Sequence, residues 1–105
     1  MRTNSIATAI PIPYDEIAAF CARHHITKFW LFGSVLRNDF APASDIDVLV
    51  EFDPSHIPGL AYFGLADELE GIFGRPVDLS TPEALSKYIR AKVTRSAQLI
   101  YERAG

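Results

Sequence analysis

A single cysteine, Cys21, leaves no partner for an internal disulfide, which places the chain in a reducing, cytoplasmic setting. No apolar run approaches the ~20 residues that a membrane-spanning helix needs, so no membrane association is expected. The opening stretch, residues 1–12, has one arginine and several small residues but no sustained apolar core. It reads as a flexible N-terminal arm ahead of one domain over 13–105, not as a signal peptide. Positive charge is also short. Ten Lys and Arg face 13 Asp and Glu, for a net charge of −3, and the basic residues are scattered. Nucleic-acid binders concentrate such residues in a patch, so direct nucleic-acid binding is not expected. Internal repeats and low-complexity tracts are missing. At 105 residues and 49% apolar, the chain suits a single core without a second lobe.

What is present is an alternation of helical and extended patterns. Residues 13–24 read as a first helix, with Ile17, Phe20, Cys21 and His24 on one stripe and Asp15 and Glu16 near its N-terminus. Lys28 to Phe32 reads as a strand whose unbroken apolar run predicts burial on both faces. A short helical turn over Ser34 to Arg37 and an exposed loop lead to a central strand, Ile46 to Phe52. Leu60 to Phe73 is the longest helical pattern, stopped at Gly74. Leu60 and Phe63 lie off the centre of its apolar stripe, and exposure there would mark a partner surface. Val77-Asp78-Leu79 reads as a third strand. Thr81-Pro82 reads as the cap and first position of a last helix to Arg95, with Leu85, Tyr88, Ile89 and Val93 inward. Residues 97–101 read as an extended segment.

The chemistry concentrates between Phe29 and Asp53. Side chains alternate along a strand, so Asp45 and Asp47 project to one side at the start of the central strand. Two carboxylates so close repel unless a cation lies between them or one is protonated. Hard oxygen donors of this kind suit Mg²⁺, which bridges one or two carboxylates and substrate phosphates. Gly33, at the end of the preceding strand, permits close approach of backbone or ligand. Ser34 adds a hydroxyl and an N–H for phosphate, or serves as a simple helix cap. Two readings are open for Arg37: contact with a triphosphate, or pairing with Asp39 or Asp45. Asp78 is the third candidate carboxylate. It sits inside an apolar run, where burial is costly unless the group is paired or metal-bound; an edge-strand aspartate facing water is its other reading. Glu51 reads as structural. His24 and His25 are adjacent and diverge, and His56 stands in a loop, so none is read as a metal ligand. Cys21 has no basic neighbour to activate it and reads as core.

Gly33-Ser34, ten residues, then Asp45-x-Asp47 resembles the signature of the DNA polymerase beta-like nucleotidyltransferase superfamily. With Arg37 and the run S-D-I-D-V-L-V-E-F, the chain is similar to its minimal branch, the MNT antitoxins. The likeness extends from about Ile17 to Glu102, with Asn38 and Leu36 standing where the branch has glycine and alanine. The resemblance implies an α/β (α+β) fold, a small mixed sheet with helices on one face. It implies Asp45, Asp47 and Asp78 as catalytic and metal-binding residues, and Gly33, Ser34 and Arg37 as nucleotide-binding ones. It also implies two Mg²⁺ ions and ATP as the donor. The implied role is an antitoxin that transfers AMP to a tyrosine of a HEPN-domain ribonuclease toxin, its partner. Two rivals are a binding antitoxin without catalysis, which the presence of all three carboxylates disfavours, and a small-molecule nucleotidyltransferase completed by homodimerisation.

Overall fold

The computed structural model describes residues 11–33, 45–82, 85 and 87–103. Its elements run α1 (Tyr14–Arg23), β1 (Ile26–Phe32), β2 (Ile46–Phe52), α2 (Tyr62–Phe73), β3 (Val77–Ser80), α3 (Lys87–Ser96) and β4 (Gln98–Glu102). They form a four-stranded mixed sheet in the order β3-β2-β1-β4. β1 runs antiparallel to β2 and β4, whereas β2 and β3 are parallel. Parallel strands need a crossover, and α2 supplies it.

Register sorts the side chains onto two faces. Phe29 pairs with Val50, Leu31 with Val48, and Ile46 with Val77, so these residues share one face. Together with Ile17, Phe20 and Cys21 of α1 and Leu65 and Leu69 of α2, they form one buried cluster. Both helices therefore lie over that face. Ile12, which the sequence assigns to the arm, packs against the cluster as well. On the other face stand Trp30, Phe32, Asp47, Asp78 and the buried Leu49. The expected burial of β1 on both faces is thus only half met: Phe29 and Leu31 are fully buried, but Trp30 and Phe32 are half-buried.

Local chemistry explains most element ends. Pro13 stands at the cap, one position earlier than expected, and its carbonyl accepts from the Ile17 N–H at 3.0 Å. α1 ends at His24, and His25 takes a left-handed φ of 58° to turn the chain into β1. Gly74 closes α2 with φ 72°, its N–H donating to the Glu70 carbonyl at 2.8 Å. A 3₁₀ turn over Gly59–Ala61 leads into α2. Leu60 and Phe63 are indeed exposed, at 86% and 76%, and Ile57 is exposed beside them.

The last helix departs from expectation. It begins at Lys87, not Pro82; at Pro82 the described backbone makes only a 3₁₀-type bond from the Leu85 N–H, at 3.3 Å. Tyr88, expected inward, is 84% exposed, while Val93 is half-buried. With the start at Lys87, Tyr88 falls in the first turn of the helix, where its side chain faces solvent. Residues 97–101 fall in the extended segment expected of them, with β4 paired to β1. No helix among the described residues is long and apolar enough to cross a membrane.

Candidate active site

β2 places Asp47 on the face away from the helix-packed core, because its neighbours Ile46 and Val48 both point into that core. Asp45 stands two positions earlier, just before the strand, and is exposed. In the parallel pair, Asp47 is the register partner of Asp78, so the two carboxylates share one face on adjacent strands. On the other side of Asp47 the partner is Phe32 of β1, and Gly33 follows it directly. Gly33 has φ 78°, a region L residues rarely enter. A Cβ there would overlap the Asp47 Oδ2 and stand 3.1 Å from its Cγ. Glycine is thus what lets the backbone lie directly against this carboxylate.

The structure therefore gathers Gly33, Asp47 and Asp78, with Asp45 alongside. Ser34 and Arg37, and with them the expected helical turn, lie outside the described residues. One reason given for Asp78 needs correction. The side chain is exposed, so its place in an apolar run costs no burial. β3 is an edge strand only four residues long, and alternation turns Asp78 out of the core that holds Val77.

Two residues that sequence reasoning left as helix surface or core bear on this site. The Tyr62 hydroxyl donates to the Leu79 carbonyl at 3.1 Å, and Glu70 Oε2 accepts from the Val77 N–H at 3.2 Å. Burial, and secondarily the charge of Asp78, pushes the Tyr62 hydroxyl pKa upward. The only sequence signal was a polar atom on each residue of an otherwise helical pattern.

A separate group of titratable side chains lies at the opposite end of the β1–β2 pair. His24 Nε2 meets Glu68 Oε1 at 2.8 Å, and Arg23 shares that carboxylate. Burial, together with the neighbouring Arg23 and His25 charges, holds the His24 pKa below its usual value. His25 stacks on His56 with centroids 3.9 Å apart. Glu51 Oε1 accepts from the Thr27 hydroxyl at 2.9 Å, the structural role expected of it. Burial pushes the Cys21 thiol up to about 12, consistent with a packing role.

Among the described residues no three His, Cys, Asp or Glu side chains come together as a metal-binding group, so Asp45 is not brought up to Asp47 and Asp78 as a third donor. Mg²⁺ does not require three protein ligands, since it is commonly held by one or two carboxylates and completed by substrate phosphates. Asp47 and Asp78 supply hard oxygen donors side by side, and Gly33 keeps clear a space that a Cβ would fill. The residues present fit such a cation.

A mixed sheet that sets paired carboxylates beside a glycine turn defines an α/β domain suited to handling metal-bound phosphates. The chain belongs to the nucleotidyltransferase domain family, whose pattern it matches over residues 15–100. It is accordingly an enzyme of nucleotidyl transfer, as the signature from Gly33 to Asp47 implies. Protein adenylyltransferase MntA of Thermococcus cleftensis is 35% identical over 74 residues, 70% of this chain and 73% of that one. A solved structure provisionally described as a minimal nucleotidyltransferase superposes with a TM-score of 0.69 at 33% identity, covering 81% of this chain and 86% of that one. A complex of an MNT antitoxin with a tri-AMPylated Shewanella oneidensis HEPN toxin shares the fold, with a TM-score of 0.62 at 22% identity over 86% of this chain and 70% of that one.

Proposed function

We propose that this nucleotidyltransferase is the antitoxin of a toxin–antitoxin pair and transfers AMP from ATP to a tyrosine of a HEPN-domain ribonuclease toxin. The observation that carries the reading is the register of Asp47 with Asp78 beside Gly33, on a chain of this family. The names of its relatives, an adenylyltransferase and an MNT antitoxin bound to an AMPylated HEPN toxin, supply the donor and the partner.

In this reading Asp47 and Asp78 would hold Mg²⁺, with Asp45 drawn in from just before the strand, and the ion would supply neutralisation of the phosphates. The Gly33 turn brings backbone against the Asp47 carboxylate, leaving no side chain where a triphosphate would approach it. Ser34 and Arg37 grip the β- and γ-phosphates. Asp78, exposed on the neighbouring strand, takes the proton from the acceptor hydroxyl as its oxygen attacks the α-phosphorus and pyrophosphate departs. The chain's own contribution is mostly placement. Fixing an acceptor in line with the α-phosphorus contributes roughly 7–11 kcal/mol towards the barrier. Exposed Leu60 and Phe63 offer the acceptor protein an apolar surface.

The test is intact-mass analysis of a cognate HEPN-domain protein after incubation with this chain, ATP and MgCl₂. Added mass in units of AMP on a tyrosine, with loss of ribonuclease activity, is the expected result. Protection of cells by the Asp45→Asn, Asp47→Asn variant, with toxin of unchanged mass, would replace catalysis with neutralisation by contact.

A further inference from the structure

Asp78 can serve the site only if a four-residue edge strand keeps its register. In a parallel pair, alternate residues turn their backbone groups towards the partner strand. The Ile46 N–H donates to the Pro76 carbonyl at 2.9 Å, which sets that phase. Asp78 therefore faces β2 through its backbone, while Val77 and Leu79 turn theirs to the free edge. Those are the two positions that α2 reaches. Glu70 accepts the outward Val77 N–H, and Tyr62 donates to the outward Leu79 carbonyl, on either side of Asp78. The two side chains lie eight positions apart, about two turns of α2, so one rigid helix spans the three-residue segment.

We infer that Tyr62 and Glu70 are positioning residues, a two-point clamp by which α2 fixes the register of β3 and so keeps Asp78 opposite Asp47. The consequence of losing it is discrete. A slip of one residue would carry Asp78 to the opposite face and replace it with Val77 or Leu79. The clamp also fills hydrogen-bonding positions on an edge otherwise open to pairing with another chain. This inference rests on the proposed transfer reaction for its kinetic consequence, but not for its structural one.

The test compares Tyr62→Phe/Glu70→Ala with Tyr62→Phe/Glu70→Gln, where the amide oxygen of glutamine still accepts from Val77. Three quantities are measured: exchange rates of the β3 amides, direct ATP affinity, and kcat for transfer to a cognate HEPN-domain protein. In the alanine variant, the Val77 amide exchanges at least 10-fold faster and kcat falls on the order of 10-fold or more, while ATP affinity and the exchange of β1 amides stay at wild-type values. The glutamine variant, which restores only the Val77 contact, recovers the Val77 protection and part of the lost kcat. Unchanged Val77 exchange, or a loss of protection spread evenly over β1 and β2, would overturn the clamp. So would wild-type kcat in a variant whose β3 is measurably loosened. Absence of transfer by the wild-type chain would instead sink the proposed reaction, and the exchange rates would still decide the clamp.

Discussion

At the scale of single residues, the site is a set of short-range incompatibilities made tolerable by neighbours. Asp47 and Asp78 are set side by side, and Gly33 presses its backbone against the first of them. Replacing either Asp45 or Asp47 with Asn should lower kcat by more than 10², and the double change should be little worse, because groups serving one site are non-additive. Thermal midpoints of all three variants should equal or exceed the wild type, since a crowded charge is removed. Gly33→Ala fails for a different reason: its φ of 78° costs an L residue roughly 1–2 kcal/mol and its Cβ displaces the Asp47 carboxylate. A denaturant melt should show that loss together with weakened ATP binding. That Gly33 and Asp47 lie together was legible in sequence through the resemblance of their spacing to a family signature, which a bare D-x-D does not carry. The position of Asp78 beside Asp47 was not legible from its apolar run, because such a run does not say which side of an edge strand is covered; its exposure is what the reading of an edge-strand aspartate facing water expects.

At the scale of elements, periodicity sufficed where packing follows it. β2 falls at Ile46–Phe52 as alternation predicts, because every second side chain enters the core. α3 was misplaced because Thr81-Pro82 imitates a helix start, while the described backbone there makes only a 3₁₀-type turn. Hydrogen bonds between elements left no trace in the pattern at all. Asp53, just past β2, shows how much they matter. Its Oδ1 accepts from the Ser55 N–H at 2.8 Å and its Oδ2 from Arg103 Nη1 at 3.0 Å, joining the loop after β2 to the end of β4. The Ser55 N–H first, and Arg103 second, hold its pKa below the ordinary carboxylate value. A lowered folded-state pKa means stabilisation that is present above about pH 3.9 and lost as pH falls through the folded value. Acid titration of the thermal midpoint should therefore fall less steeply below pH 4 for Asp53→Asn than for the wild type. Exchange of β4 amides in the wild type should rise over the same range.

At the scale of the whole molecule, α1 and α2 cover one face of the sheet, and the exposed Asp78 edge and the start of α2 stand as candidate places to meet a macromolecule. Leu60→Ser with Phe63→Ser should leave the fold and ATP affinity intact while raising the KM for the protein acceptor several-fold, measured by AMP transfer at varied acceptor concentration. Unchanged KM would place the partner elsewhere. The family was readable because its signature is local, whereas a partner surface is a property of exposure and was only a conditional reading at Leu60 and Phe63. The strand order β3-β2-β1-β4 has a further consequence in time. The two central strands are consecutive in the chain, and both edges are synthesised after them. During translation the β1–β2 hairpin can form while the strand carrying Asp78 is still inside the ribosome. The carboxylate pair is therefore assembled late, only once β3 has left the ribosome and settled beside β2.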